Sequence, residues 1–125
     1  MWRKQKVQQN RRKTKVKVEE LIRELKLGLA AGSDGVHRET AGCYIGDLMS
    51  MAMAKVEEGF VWITIQTNLN VVAVAALADA ACVILADGCL PDPDMAKRAE
   101  MEEIPILTTE KSAYETAKAL AALGL

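Results

Sequence analysis

The residues with the most chemical potential are gathered in one stretch, Trp62-Ile63-Thr64-Ile65-Gln66-Thr67-Asn68-Leu69-Asn70-Val71-Val72-Ala73-Val74-Ala75. An apolar, β-branched run passes into Gln66, Thr67, Asn68 and Asn70 and then resumes as an apolar run. At the carboxyl end of a strand and the start of a helix, these neutral amide and hydroxyl groups suit recognition of an anion. The free N–H groups and positive end of the helix supply attraction, and the amides supply orientation. A phosphate or nucleotide fits that chemistry better than proton transfer does. A simpler use competes with it, because Thr67 or Asn68 can cap the helix, an interaction worth about 1 kcal/mol. Neither a GxGxxG nor a GxxxxGKS/T phosphate loop accompanies the stretch.

A second candidate is Gly32-Ser33-Asp34-Gly35, where the glycines would let backbone approach a phosphate and Ser33 and Asp34 would add polar contacts. A plain turn uses the same residues. His37 is the single histidine, so a Ser-His-Asp or Cys-His device would have to include it, and an exposed strand histidine is the expectation. Asp47 reads as a helix cap and Asp87 as a turn residue. Cys43, Cys82 and Cys89 form no CxxC pair, which leaves too few ligands for zinc or an iron–sulfur cluster. Reduced thiols are expected, with Cys82 a small core residue. No catalytic set, metal site or cofactor is read from these residues.

The chain that must position these groups has 125 residues, enough for one domain with its own core. Half the residues are apolar and only five are aromatic, so Ala, Val, Ile, Leu and Met build the core and stacking platforms for nucleic acid are not expected. No apolar run reaches the roughly 18 residues of a membrane span. A cytoplasmic protein with no membrane partner is the expectation. The net charge of −1 conceals a split. Positions 1–17 carry eight Lys and Arg and no acid, which leaves eight basic against seventeen acidic residues in 18–125. The leader is read as a disordered basic extension, 1–17, before a folded domain, 18–125. An arm for nucleic acid is the sharper alternative.

Val18, Leu21, Ile22 and Leu25 give a short amphipathic helix over 18–25. A strand over 27–31, the Gly32–Gly35 turn and an extended segment over 36–45 follow. Asp47 is placed to cap a helix over 48–57. From Phe60 onward the pattern alternates: a buried strand over 60–66, an Ala-rich helix over 70–79, a strand over 81–86, a helix over 93–103 opened by Asp92-Pro93, a strand over 104–107 and a helix over 113–122 capped at Ser112. Helical crossovers imply parallel, right-handed connections. The fold class is therefore α/β: a layered α/β/α single domain with a largely parallel central sheet, to which the first half adds antiparallel strands. Met49, Met51 and Met53 crowd one short helix, and Met51 falls on a different face from the other two, as a partner or dimer surface would have it.

Three separated blocks in order, Ala41–Leu48 (AGCYIGDL), Val61–Ala75 and Ile104–Thr108 (IPILT), resemble a DRTGG domain in its small stand-alone form, over 18–125. The resemblance implies a fold similar to the N-terminal domain of HPr kinase and a regulatory, often dimeric module. Such domains also occur fused to CBS domains, regulatory pyrophosphatases and phosphate acetyltransferases, and stand-alone members are linked with iron-only hydrogenases. The naming motif is altered here to His37-Arg38-Glu39-Thr40-Ala41-Gly42, which keeps Arg, Thr and one Gly in different spacing. Related members carry histidine where this chain has Asn68, so any chemistry of that histidine is lost. The leading expectation is a non-catalytic regulatory or small-ligand-binding module, a homodimer, with a phosphate or nucleotide held by Gln66, Thr67, Asn68 and Asn70 together with Ser33 and Asp34. An accessory subunit of a hydrogenase-type redox system, docking a protein partner through the Met49–Met53 helix, is the alternative. A small enzyme acting on a phosphorylated metabolite ranks third, for want of a nucleophile and base.

Overall fold

The computed structural model describes residues 15–125, so the expected leader lies almost wholly outside the described residues. Among the described residues, five α-helices and five strands follow in the order α1 (Val18–Leu25), β1 (Gly28–Ala31), β2 (Gly42–Ile45), α2 (Met49–Lys55), β3 (Phe60–Thr64), α3 (Leu69–Ala78), β4 (Cys82–Leu85), α4 (Pro93–Glu102), β5 (Ile106–Thr108) and α5 (Ala113–Ala122). The strands form one sheet in the order β1-β5-β4-β3-β2. β2 through β5 are parallel, with Val61 opposite Cys82 and Val83 opposite Ile106. β1 closes the far edge antiparallel to β5, Gly28 lying opposite Thr108.

The sheet is covered on both faces, which is why β4 (CVIL) is apolar at every position and buried throughout. Trp62, Val83, Leu85 and Ile106 point into a core shared with α2, α3 and α4. Val61, Ile63, Cys82, Ile84 and Leu107 point the other way, against Val18 and Leu21 of α1 and Leu120 of α5. The expected α/β/α layering and largely parallel sheet are thus what the chain forms. α3 forms despite its valines because Val71, Val72 and Ala75 are fully buried, so tertiary packing outweighs the small propensity penalty.

Four local differences have physical causes. The segment expected to be extended from residue 36 becomes strand only at Gly42, because residues 36–41 spend their backbone groups elsewhere. Arg38 donates to Gly35, and Val18 and Glu19 donate to Arg38 and Val36. β2 then joins the sheet parallel, not antiparallel. Asp47 does not cap α2, whose N-cap is Leu48 with no side-chain bond. The domain also takes in Val16 and Lys17, two residues before the expected boundary: the Val16 carbonyl accepts both the Thr40 N–H and its hydroxyl, and Lys17 forms a bridge with Glu39.

Trp62 is fully buried and its Nε1–H donates to the Gly46 carbonyl at 2.9 Å, tying the end of β2 to β3. Trp62→Phe keeps the ring but orphans that carbonyl. Urea titration of the variant is expected to show a loss of about 1–3 kcal/mol.

Candidate functional site

The carboxyl ends of β2, β3, β4 and β5 meet at one edge of the sheet, where four loops lie side by side. Asp47, after β2, reaches across to β3: its Oδ1 accepts from the Thr64 hydroxyl at 2.7 Å and from the Ile65 N–H at 3.0 Å. Its backbone carbonyl accepts from Gln66 Nε2 at 3.2 Å. The aspartate is therefore a clamp that fixes the turn out of β3, a role with no spacing signature because its partners are seventeen and eighteen positions away.

Gln66, Thr67, Asn68 and Asn70 lie together on this edge, and their polar groups are largely engaged with one another. Asn68 is the N-cap of α3, its Oδ1 accepting from the Asn70 N–H at 3.0 Å. Its Nδ2 donates to Gln66 Oε1 at 3.5 Å, a long bond. The Thr67 hydroxyl donates to Asp92 Oδ1 at 3.3 Å, and the Thr67 carbonyl accepts from the Asp92 N–H at 2.9 Å. Asp92 thus anchors the β4–α4 loop to the β3–α3 loop and makes no side-chain cap on α4.

Ser33 and Asp34 are not part of that cluster. β1 runs antiparallel, so its carboxyl end lies beside the amino end of β5, at the opposite edge of the sheet. Both residues are exposed in a one-turn 3-10 segment. The flanking glycines are explained by close packing. Gly32 has φ +76, and a Cβ there would strike the Ile104 carbonyl; one on Gly35 would strike the Glu103 carbonyl. The Gly32 N–H donates to Glu100 Oε2 at 3.0 Å. His37 is exposed in the following turn, not in a strand.

The altered motif His37–Gly42 occupies this amino edge as a set of braces. α3 and α4 both end there in left-handed caps, Asp79 (φ +58) and Glu103 (φ +57). Arg38 spans the two: its Nη1 pairs with Asp79 Oδ1 at 3.0 Å and its Nε donates to the Glu103 carbonyl at 3.2 Å. A guanidinium at two helix C-termini meets the negative end of both dipoles with fixed donors. Thr40 is buried and holds Val16, and Gly42 leaves room for the Phe60 ring, which a Cβ would meet at 2.8 Å. Arg, Thr and Gly each have a structural task.

Clefts open at both edges of the sheet and beside α4. One of about 640 Å³ lies at the amino edge, where Lys15, Lys17, His37 and Arg38 face Glu39, Glu58 and Asp79, so its charges largely neutralise one another. One of about 400 Å³ lies between Leu69 and α4. Another, of about 410 Å³, opens on the carboxyl edge between Gly88 after β4 and Thr108–Lys111 after β5, with Lys26 on its wall. Its residues carry no sequence motif, and only the strand order brings them together. No group of three or more His, Cys, Asp and Glu suited to a metal occurs among the described residues. Burial pushes the Cys43 thiol up to about 11 and Cys82 higher still, with Cys43 nearby adding to the latter.

These features define a three-layer α/β domain with loops gathered at the carboxyl edge of a largely parallel sheet. The chain belongs to the DRTGG domain family, whose model matches residues 20–123. No curated protein matches it in sequence. Among solved structures, the fold is similar to that of the CBS and DRTGG domains of the regulatory region of Clostridium perfringens pyrophosphatase, complexed with the activator diadenosine tetraphosphate. The TM-score is 0.66 at 11% identity, with 83% of this chain covered. The chain spans 45% of that neighbour's length.

Two outcomes follow from this geometry. Arg38→Lys keeps the charge but cannot brace both helix ends, and chemical denaturation is expected to show a loss of about 1 kcal/mol. Because Cys43 titrates at about 11 in the fold against 9.0 ordinarily, the unfolded chain releases its proton first as pH rises. Stability contributed by the neutral thiol is complete below pH 9.0 and falls towards pH 11. In Cys43→Ala, the denaturation midpoint is expected to fall less steeply over that window than in the unsubstituted protein.

Proposed function

We propose that the protein is a non-catalytic regulatory module whose carboxyl sheet edge binds a small anionic ligand, a phosphate or a nucleotide. The observation that carries this reading is family membership over residues 20–123 with a fold similar to a regulatory region that was crystallised with a dinucleotide activator. The edge supports it physically, since ligands of open α/β sheets collect at the carboxyl ends of the strands. Gln66, Thr67, Asn68 and Asn70 belong to that edge in this reading, and Ser33 and Asp34 fall away from it. The module acts as a soluble intracellular sensor with no catalytic step of its own.

The exposed apolar side chains around α2 favour a second role in assembly. Leu48 is 62% exposed, Met51 44% and Met53 60%, while Ala52 and Val56 are buried in the core and Met49 packs against it. A surface of flexible thioethers accommodates a second copy of the chain, or a redox-enzyme partner, without strict shape matching. A homodimer is the form proposed.

The ligand reading is tested by thermal shift with inorganic phosphate, AMP, diadenosine tetraphosphate and acetyl phosphate. A saturable rise with at least one is expected, because a ligand that binds only the folded state stabilises it. Flat melting curves with all four, together with co-purification of a stoichiometric partner that Met53→Glu abolishes, would leave assembly as the function.

A further inference from the structure

The loops at the carboxyl edge do not all bend the same way. α2, α3 and α4 connect successive parallel strands that advance in one direction across the sheet, so right-handed crossovers place all three on one face. The loops after β2, β3 and β4 therefore bend to that face together. β5 is the exception, since α5 packs with α1 on the other face. The loops after β4 and β5 part company, and a crevice opens where neighbouring strands send their chains to opposite sides. The 410 Å³ cleft sits at this divergence.

We infer that this cleft, and not the amide cluster after β3, binds the ligand, and that the ligand is a singly phosphorylated metabolite about the size of a mononucleotide. The proposal rests on the anion-binding reading and sharpens its location and chemistry. Two lysines, Lys26 and Lys111, line the cleft against one carboxylate, Glu110. Thr108 and Thr109 add hydroxyl donors, and Thr109 Oγ1 accepts from the Lys111 N–H at 3.2 Å, which leaves its proton free to donate. Lysines with hydroxyls form a phosphate subsite. Glu110 lies over Gly88, where a Cβ would come within 2.9 Å of its Oε1, and a carboxylate in that position accepts from a sugar diol, as acidic residues do in dinucleotide folds. On the rim, Leu25 and the 68% exposed Leu90 offer an apolar surface to a planar base. The volume lies within the ordinary range for small-molecule sites.

The walls are pinned from behind, so the cleft is preformed. The Gly88 N–H donates to the Thr109 carbonyl and the Asp87 N–H to the Lys111 carbonyl, each at 2.9 Å. By contrast, the side chains of Gln66, Thr67 and Asn68 spend polar groups on one another, on Asp47, on Asp92 and on the Asn70 N–H.

The test uses the full chain labelled with ¹⁵N, titrated with AMP and separately with inorganic phosphate. AMP is expected to shift the amides of Gly28, Gly88, Thr109, Glu110 and Lys111, with phosphate shifting the lysine side of the set. Lys26→Glu and Lys111→Glu, both at exposed positions, are expected to weaken AMP at least about tenfold while preserving the dispersed spectrum, and Lys118→Glu, exposed on α5 away from the cleft, to leave its affinity unchanged. Shifts centred on Asn68 to Val71, or affinity insensitive to both charge reversals, would overturn the cleft and leave anion binding standing. Spectra unmoved by either probe would overturn the cleft and, with flat melting curves, the ligand reading too.

Discussion

One constraint organises the molecule: three right-handed crossovers in succession, all advancing the same way, fill one face of the sheet and leave the other bare. The strands cannot tolerate that, because Val61, Ile63, Cys82, Ile84 and Leu107 would expose their side chains to water. The two ends of the domain solve the problem jointly. α1 and α5 cover the open face, and β1, fed from α1, pairs antiparallel with the edge of β5 because a short connection cannot deliver it parallel. Placement of the termini, the single antiparallel pair and the divergence of the loops after β4 and β5 all follow from the same cause.

The two sheet edges divide the work. At the amino edge, helix ends and loops converge with their backbone carbonyls exposed, and Arg38, Thr40 and Gly42 satisfy or accommodate them. Family-motif residues there are accounted for by packing and capping. Between these braces, Glu39 contributes backbone to a bridge with Lys17, and Ala41 donates its N–H to the Gly59 carbonyl. At the carboxyl edge around β5, Lys26, Lys111, Thr108 and Thr109 gather about one cleft.

Elements with strong periodicity or punctuation were legible in the sequence. α1 from its i, i+3, i+4, i+7 stripe, β3 and β4 from buried β-branched runs, α4 from Asp92-Pro93 and α5 from Ser112, whose hydroxyl does accept from Glu115, all form within a few residues of expectation. What sequence could not supply was long-range pairing. Asp47 reads as a cap because local logic offers it no other partner; Thr64 and Ile65 become available only once β2 lies beside β3. Ser33 and Asp34 look equivalent to Gln66 and Asn68 until the antiparallel course of β1 sends them to the other edge. Gly88 and Lys111 share no motif, and their meeting depends on strand order.

The position of the β4–β5 cleft also bears on how such a module could report occupancy. Lys26 and Leu25 come from α1, Gly88 and Leu90 from the loop leading to α4, and Thr109 to Lys111 from the loop leading to α5. A phosphate held by Lys26 and Lys111 beside Gly88 would touch the terminal layer, to which both lysines belong, and the loop that leads into the crossover layer. A ligand can shift an equilibrium only by its differential affinity for two arrangements, so a useful sensing site must contact parts that move relative to one another. The amide cluster after β3 contacts one layer alone, its partners Asp47, Asp92 and the start of α3 all belonging to the same face. Of the two places on this edge, only the cleft brings residues of both layers to one ligand.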